Sequence, residues 1–279
     1  MHGLGDNIYQ RAFVREIKDD VFLYTSWPQI YKDLENVYPV RPITCLRTQN
    51  KNINRQPDSI WSIPKKQPEL KIIYGKSDLQ SGSILSAMRS RFNVTPKIFD
   101  LPKFTEMNNI IKFTKTKYAI IRPVTVRTEW KNEARNPLPE YINKAAEILK
   151  KTGYTTVSVA DIEENEEYAE TLPHCDIKFN NGELNLECLM SIVQNASLIV
   201  GSVGWIVPAS IAAGIRLIII LGGHGGYNAP EKIVSGIMNT DKISWIYPDN
   251  YCRCTKKIHN CNKTVTNFEE KFTYALGLK

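Results

Sequence analysis

The chain of 279 residues is long enough for one large α/β domain or for two domains of about 140 residues each. Hydrophobic residues make up 42% and charged residues 23%, so we expect a globular chain with a buried core. No apolar run reaches the roughly 18 residues that span a bilayer, and the initial MHGLGDN resembles no secretory signal. These features exclude membrane-spanning, collagen-like and disordered chains and predict a soluble cytoplasmic protein.

The formal net charge of +7 is unevenly distributed. Residues 1–117 contain 19 Lys and Arg against 11 Asp and Glu, a net charge of +8, whereas residues 118–279 contain 17 against 18, a net charge of −1. A basic half raises the local concentration of anionic partners, which predicts a phosphate-rich ligand or acceptor. The alternative is a solvated surface that only keeps the protein soluble.

The first half alternates strands with helices, which is typical of a largely parallel sheet. The pattern predicts helices at 6–17, 29–37 and 81–91, and strands at 21–24, 43–46 and 70–74. Gly3-Leu4-Gly5-Asp6 opens the first helix, and its glycines allow a ligand to approach the backbone closely. Asp6 is either a helix cap or a general base directed into a cleft.

The alternation stops between residues 94 and 117, which we interpret as an interdomain connection, and then resumes. Helices are predicted at 138–151, 184–194, 205–213 and 268–276, and strands at 118–121, 155–159, 197–201, 216–221 and 242–247. The expected domains are residues 1–105 and 106–266, with a C-terminal helix at 267–279 that packs back toward the N-terminal domain. A site is expected in the cleft between the domains, at the carboxyl ends of the strands.

Two glycine-rich turns follow neighbouring buried strands of the second half. Val200-Gly201-Ser202-Val203-Gly204-Trp205 leads into a helix, a geometry that presents backbone amides to phosphate. The second turn runs from Leu221 to Pro230 and contains His224 and Asn228. Because parallel strands end at the same sheet edge, the two turns are expected to form one pocket. His224 is either part of that pocket or a structural loop histidine.

Three of the six cysteines cluster with a histidine near the C-terminus. Cys252, Cys254, His259 and Cys261 offer three thiolates and one imidazole, a donor set suited to a structural zinc ion. Free, partly buried thiols are the alternative. A disulfide is disfavoured in a protein that is not secreted.

At the level of order and spacing, most of the chain resembles glycosyltransferase family 9, the ADP-heptose:lipopolysaccharide heptosyltransferases, and in particular short variants from phages and bacteria. The resemblance rests on the segment from Gly3 to Ile8, the turn from Val200 to Trp205, Gly214 and the turn from Leu221 to Pro230. It implies a GT-B fold, in which two Rossmann-like domains bind the acceptor and the nucleotide sugar on either side of a cleft. If the chain is phage-encoded, the expected location is the host cytoplasm.

The resemblance also implies roles for individual residues. Asp6 matches the base that deprotonates the acceptor hydroxyl, on a loop with Gly3, Gly5 and Asn7. Ser202 stands where the family has an aspartate. The residues implied to bind the donor or its phosphates are Arg122, Arg127, Asp161, Ser202, Val203, Gly204, Trp205, His224 and Asn228. Two of these assignments have structural alternatives, an Arg127–Glu129 ion pair and a solvated Asp161.

The expected reaction is sugar transfer from a nucleotide-diphosphate sugar to an acceptor hydroxyl. Metal-dependent transferases hold their cation with an Asp-x-Asp triplet, which this sequence lacks, so arginines are expected to stabilise the leaving diphosphate without a metal. No cofactor is expected to be needed for catalysis.

The sequence leaves the acceptor open. It is expected to be anionic, and a glycan or lipopolysaccharide is the first candidate. A hydroxymethylated pyrimidine in phage DNA is the second, because aromatic residues of the basic half (Trp27, Tyr31, Tyr38, Trp61 and Tyr74) could stack on a base. The third interpretation is a non-catalytic nucleotide- or nucleic-acid-binding module.

Overall fold

The computed structural model describes residues 3–56, 58–66, 68–105, 117–129 and 131–278. Residues 106–116, which belong to the predicted interdomain connection, therefore lie outside the described residues. The chain is described below as an N-terminal half, residues 3–105, and a C-terminal half, residues 117–278. None of the helices in these segments is long and apolar enough to cross a bilayer.

The N-terminal half surrounds a small parallel sheet. Its strands β1 (Val21–Tyr24) and β2 (Val37–Val40) pair in parallel. Its helices are α1 (Leu4–Val14), α2 (Arg47–Asn54), α3 (Lys76–Ser81) and α4 (Ile84–Phe92), with short 3-10 helices at Pro28–Tyr31 and Asp58–Ile60. A complete Rossmann-like sheet is therefore not seen among the described residues of this half.

Three predicted elements of the N-terminal half differ from the observed ones. The predicted helix at 29–37 is only a 3-10 turn, because the chain from Val37 onward pairs with β1. The predicted strands at 43–46 and 70–74 are irregular. Ile43 is fully exposed and Ile73 is half exposed, so these apolar residues do not contribute to a sheet core. The sequence shows that these segments are apolar, but it does not show whether another part of the chain packs against them.

The C-terminal half is built on a six-stranded parallel sheet. Its strands are β3 (Tyr118–Ile121), β5 (Thr155–Val159), β7 (Ile177–Phe179), β8 (Leu198–Gly201), β9 (Leu217–Ile220) and β10 (Ile243–Ile246). They are arranged in the order β10-β9-β8-β3-β5-β7. Numbered 1 to 6 along the chain, these strands have the order 6-5-4-1-2-3, which is that of a doubly wound Rossmann sheet. All strands are parallel, and the order in which they are added reverses between β3 and β8. A separate antiparallel pair joins β4 (Val126–Arg127) to β6 (Glu167–Tyr168).

Helices cover both faces of the large sheet. They are α5 (Pro139–Lys151), α6 (Leu186–Asn195), α7 (Ile206–Ala213), the short α8 (Gly225–Asn228) and α9 (Pro230–Ile233), and α10 (Phe268–Ala275). α5 and α10 pack on one face, and α6 and α7 on the other. The strands are buried on both sides, which explains their uninterrupted apolar sequences.

The C-terminal helix packs in a different place from the one expected from the sequence. α10 contacts α5 and β10 of the C-terminal half, and Tyr141 stacks on Phe268 with 4.8 Å between the ring centroids. Phe272 is completely buried there. The expectation that residues 267–279 pack toward the N-terminal half is therefore wrong, because α10 is needed to cover the second face of the large sheet.

The two halves meet most closely where α1 packs on α7. A Cβ atom on Gly5 would lie 3.2 Å from the Cα atom of Trp205, so glycine permits this approach. The contact places the first turn of α1 beside the carboxyl end of β8, and thus brings an N-terminal carboxylate to the Rossmann sheet.

Candidate active site

A cavity of about 800 Å³ lies between the two halves, at the carboxyl ends of the sheet strands. Its volume is in the range of ligand-binding cavities. The predicted residues Gly3, Gly5, Asp6, Arg122, Arg127, Asp161, Val203, Gly204, Trp205, His224 and Asn228 all line it. The fold therefore brings most of the predicted site together in one place.

Two predicted residues are not among those that line the cavity. Ser202 is buried behind the turn. Asn7 is buried in the N-terminal half, where its Nδ2 donates to the Gly3 carbonyl at 2.9 Å and its Oδ1 accepts from the Thr25 hydroxyl at 2.7 Å. Asn7 is turned into the core because successive residues of α1 point in different directions.

Asp6 lies in the first turn of α1 and is hydrogen-bonded to a residue that the sequence analysis did not assign to this role. The Tyr74 hydroxyl donates to Oδ1 of Asp6 at 2.8 Å. Burial, and then the negative charge of Asp6, raise the pKa of Tyr74 well above its usual value. The tyrosine is therefore protonated and serves as a donor that orients the carboxylate. Tyr74 belongs to an irregular segment, and no motif in the sequence pairs it with Asp6.

Arg122 and the first glycine turn meet at the point where the strand order of the sheet reverses. Arg122 follows β3 directly, and its amide donates to the Val200 carbonyl of β8 at 2.9 Å. A Cβ atom on Gly201 would lie 3.1 Å from the Cβ atom of Arg122, and one on Gly204 would lie 3.9 Å from Nη1 of Arg122. The guanidinium group thus lies beside the N-terminal end of α7, and both carry positive charge.

Arg135 is a further cationic residue of the cavity, and no sequence motif points to it. It ends the 3-10 helix Glu133–Arg135, and its Nε is buried without a hydrogen-bond partner among the described residues. Burial, followed by the positive charges of Arg122 and Arg127, lowers the pKa of Arg135 to about 10. The Arg135 side chain lines the cavity, and its positive charge opposes the rise in the pKa of Tyr74.

Arg127 has a carboxylate partner, but this partner is not Glu129. Arg127 pairs with Glu167 across the β4–β6 ladder, and Nε of Arg127 donates to Oε2 of Glu167 at 2.8 Å. The same oxygen accepts from Arg47 of the N-terminal half at 2.9 Å. Glu167 therefore serves two arginines, and no carboxylate partner is seen among the described residues for Arg122 or Arg135.

Asp161 lines the cavity but also binds the N-terminal half. Its Oδ1 accepts from Lys51 Nζ at 2.8 Å, and Arg47 Nη1 lies 3.2 Å from the same oxygen. Burial by itself raises the pKa of Asp161, but the hydrogen bond from Lys51 and the charge of Arg47 hold it below its usual value. Gly182, with φ of +67°, allows this arrangement because a Cβ atom there would lie 2.0 Å from Oδ1 of Asp161.

His224 lies in the second glycine turn and is held by two asparagines, one in the same turn and one in the segment before Arg135. Its Nδ1 lies 2.9 Å from Nδ2 of Asn228 and 3.2 Å from Nδ2 of Asn132. Burial lowers the pKa of His224, and the positive charge of Arg135 acts in the same direction, although the backbone of Thr255 opposes them. The imidazole is therefore neutral at pH 7.

The predicted metal ligands also lie together. The ligand atoms of Cys252, Cys254, His259 and Cys261 are all within 4.8 Å of one another. They form a cluster in the irregular segment between β10 and α10, next to the second glycine turn.

Comparisons with known proteins give structural relatives only. No family model matches the sequence, and no curated protein matches it. The iron-containing dodecameric glycosyltransferase TibC of enterotoxigenic E. coli has a TM-score of 0.60 at 12% identity, over 99% of this chain and 75% of that one. A structure of TibC in complex with ADP-D-beta-D-heptose has a TM-score of 0.56 at 12% identity, over 99% and 70%.

Two further structures match along nearly their whole lengths. The glycosyl transferase family 9 protein of Veillonella parvula has a TM-score of 0.59 at 12% identity, over 99% of this chain and 95% of that one. The ADP-heptose lps heptosyltransferase II of E. coli has a TM-score of 0.52 at 9% identity, over 99% and 98%. The chain therefore has the GT-B fold of these glycosyltransferases, as the sequence resemblance predicts.

Proposed function

We propose that the protein is a glycosyltransferase that moves a sugar from a nucleotide-diphosphate sugar to an acceptor hydroxyl. The observation that carries the proposal is the position of Asp6. This carboxylate is held by Tyr74 in the same cavity as Arg122, Arg135 and the N-terminal end of α7. A base and a set of cationic groups around one cavity are what sugar transfer to a hydroxyl requires.

The donor diphosphate would bind at the reversal point of the strand order. There Arg122 and the amides after Gly204 can bind its oxygens, and Arg127 and Arg135 add positive charge. These groups are fixed before the reaction, so they can stabilise the negative charge that develops on the leaving diphosphate. The TibC complex with ADP-D-beta-D-heptose supports a nucleotide sugar as the donor class.

The acceptor would approach from the N-terminal half, where Asp6 can take the proton of its hydroxyl. General-base assistance of this kind typically contributes about 10²–10⁴-fold to the rate. Tyr74 donates to Oδ1 of Asp6 and so holds the carboxylate at the cavity, where it can act on the hydroxyl. The reaction as proposed needs no metal, because guanidinium groups take the place of a cation at the diphosphate.

We favour an anionic glycan as the acceptor. Lys76 and Arg135 line the cavity near Tyr74 and can bind a negatively charged substituent. Of the aromatic residues considered for base stacking, Tyr31 is buried in the core, the Tyr74 hydroxyl is bound to Asp6 and the Tyr38 ring already stacks on Phe22. This arrangement argues against a stacking surface for a DNA base.

The test separates donor binding from chemistry. Thermal-shift screening with nucleoside diphosphates and their sugars should find a ligand that raises the melting temperature, because binding at 100 times the Kd adds about 2.7 kcal/mol of stability. With that donor, Asp6→Asn should reduce donor hydrolysis and transfer by at least about 100-fold and leave nucleotide affinity unchanged.

The control for this test is Asp241→Asn, an acid at an exposed turn before β10. It should behave like the unmodified protein in both assays. A protein that no nucleotide stabilises, or an Asp6→Asn variant with full turnover, would contradict the proposed function.

A further inference from the structure

The ligand atoms of Cys252, Cys254, His259 and Cys261 all lie within 4.8 Å of one another. Sγ of Cys254 and Cys261 are 3.6 Å apart, Nδ1 of His259 lies 3.2 Å from Sγ of Cys261, and it lies 3.7 Å from Sγ of Cys252. Zinc bound at 2.3 Å to sulfur and about 2.0 Å to nitrogen places such ligand atoms about 3.5–3.8 Å apart. The three distances of 3.2–3.7 Å are therefore close to those around one tetrahedral ion, and the fourth donor lies within reach of the same ion.

The segment that carries these ligands is long and irregular, so a cross-link within it would help to hold its shape. It connects β10 to α10 without a helix or strand of its own, although such loops rarely exceed about 15 residues in compact domains. The thiols are not joined in a disulfide. A bound ion is the cross-link that this donor set can provide.

The same segment supports the second glycine turn. The carbonyls of Cys252 and Cys254 accept from the amides of Gly225 and Gly226 at 2.9 and 3.1 Å. A Cβ atom on Gly223 would lie 2.3 Å from Sγ of Cys261, so the turn lies directly against a metal ligand. These contacts hold the backbone on both sides of His224.

It also supports the segment that carries Arg135. The Lys257 carbonyl accepts from the Ala134 amide at 3.0 Å, and Lys263 Nζ donates to the Glu133 carbonyl at 2.7 Å. Thr255 and Lys257 line the cavity themselves. One wall of the cavity, comprising Asn132–Arg135, His224, Thr255 and Lys257, is thus attached to the cysteine segment.

We propose that Cys252, Cys254, His259 and Cys261 bind one zinc ion that holds this wall of the cavity in its ligand-binding form. The ion is a structural clamp and takes no part in sugar transfer. The part of the inference that concerns nucleotide affinity rests on the proposed function, whereas zinc binding and the rigidity of the wall do not.

Three measurements on the full chain test the inference. Protein produced with added zinc should contain one equivalent of zinc by elemental analysis, and His259→Ala should contain less than about one tenth as much. Hydrogen exchange of residues 222–228 and 132–135 should be faster in His259→Ala, while strands β3 and β5 keep their protection. ADP binding, measured by calorimetry, should be at least about 10-fold weaker.

Two variants control for general misfolding. His259→Cys supplies a fourth thiolate. Its zinc content, its rate of hydrogen exchange in the wall and its affinity for ADP should therefore all match those of the unmodified protein. Cys188→Ser removes a thiol on α6 outside the cluster and should change none of them. Two results would overturn the inference. One is unmodified protein that contains no zinc after growth with added zinc, and the other is a zinc-free His259→Ala variant in which residues 222–228 and 132–135 exchange hydrogen as slowly as in the unmodified protein. If ADP does not bind the zinc-loaded protein, the nucleotide proposal fails and the exchange measurement still decides the clamp.

Discussion

At the scale of single residues, the hydrogen bond between Tyr74 and Asp6 decides how the carboxylate faces the cavity. Asp6 lies in the first turn of a helix, where an acid could equally serve as a cap. Gly3 at the N-cap has no side chain that could cap the helix, and the Tyr74 hydroxyl donates to Oδ1 of Asp6. This hydrogen bond holds one oxygen of the carboxylate at the cavity, as the proposed base requires.

Tyr74→Phe removes that hydrogen bond and keeps the aromatic ring. Because the carboxylate loses its orienting donor, we expect turnover to fall by about 10-fold, while nucleotide affinity is unchanged. Initial-rate kinetics together with calorimetric titration of the donor nucleotide would measure the two effects separately. Equal losses in both would indicate that Tyr74 only supports the fold of the cavity.

At the scale of elements, the amphipathic helix α10 closes the second face of the Rossmann sheet. Phe268 and Phe272 lie among residues of α5 and the sheet strands in one apolar cluster. Tyr274 on the same helix is 84% exposed. The two sides of this helix therefore offer a matched pair of substitutions.

Phe272→Ala should lower the free energy of unfolding by about 3–5 kcal/mol, because it leaves a cavity in a packed core. Tyr274→Ala should change it by less than about 0.5 kcal/mol. Urea denaturation followed by circular dichroism would compare them. Similar losses in the two variants would mean that α10 does not pack as described.

At the scale of the whole molecule, an ion cluster joins the two halves at the edge of the cavity. Arg47 and Lys51 of α2 bind Asp161, Glu163 and Glu167 of the C-terminal half. Arg47 and Glu167 are largely buried, so these pairs are screened less by salt than surface pairs are. The cluster holds α2 against the sheet edge where the donor is proposed to bind.

The pH dependence of this cluster follows from the lowered pKa of Asp161. The folded protein holds this carboxylate charged below the usual pKa of 3.8, so the stabilisation is complete above that value. It is lost as the pH falls through the lower folded-state pKa, where folded and unfolded chains are both protonated.

Asp161→Asn should therefore lower the free energy of unfolding by about 1–3 kcal/mol at pH 7. The difference from the unmodified protein should shrink as the pH falls below about 4. Denaturant titrations at pH 7, 5 and 3 would show this, with Asp19→Asn as an exposed control. A difference that stays constant with pH would exclude the ion cluster as its source.

The sequence by itself determined five of the six strands of the large sheet, all except β7. Buried parallel strands have continuous apolar sequences, and glycine turns follow them directly, so periodicity identified β3, β5, β8, β9 and β10 and the turns after β8 and β9. The cysteine cluster was equally visible, because its ligands lie within ten residues of sequence. In each case the interacting groups are close along the chain.

Only the tertiary structure decided the contacts between distant segments. Tyr74 and Asp6 are 68 positions apart, and Lys51 and Asp161 are 110 positions apart. Arg135 has no motif around it, and the side of the sheet that α10 covers depends on which apolar face is left open. Sequence patterns record the local preferences of the backbone and the apolar character of a segment. The partner of a charged or aromatic side chain is chosen by packing, after the chain has folded.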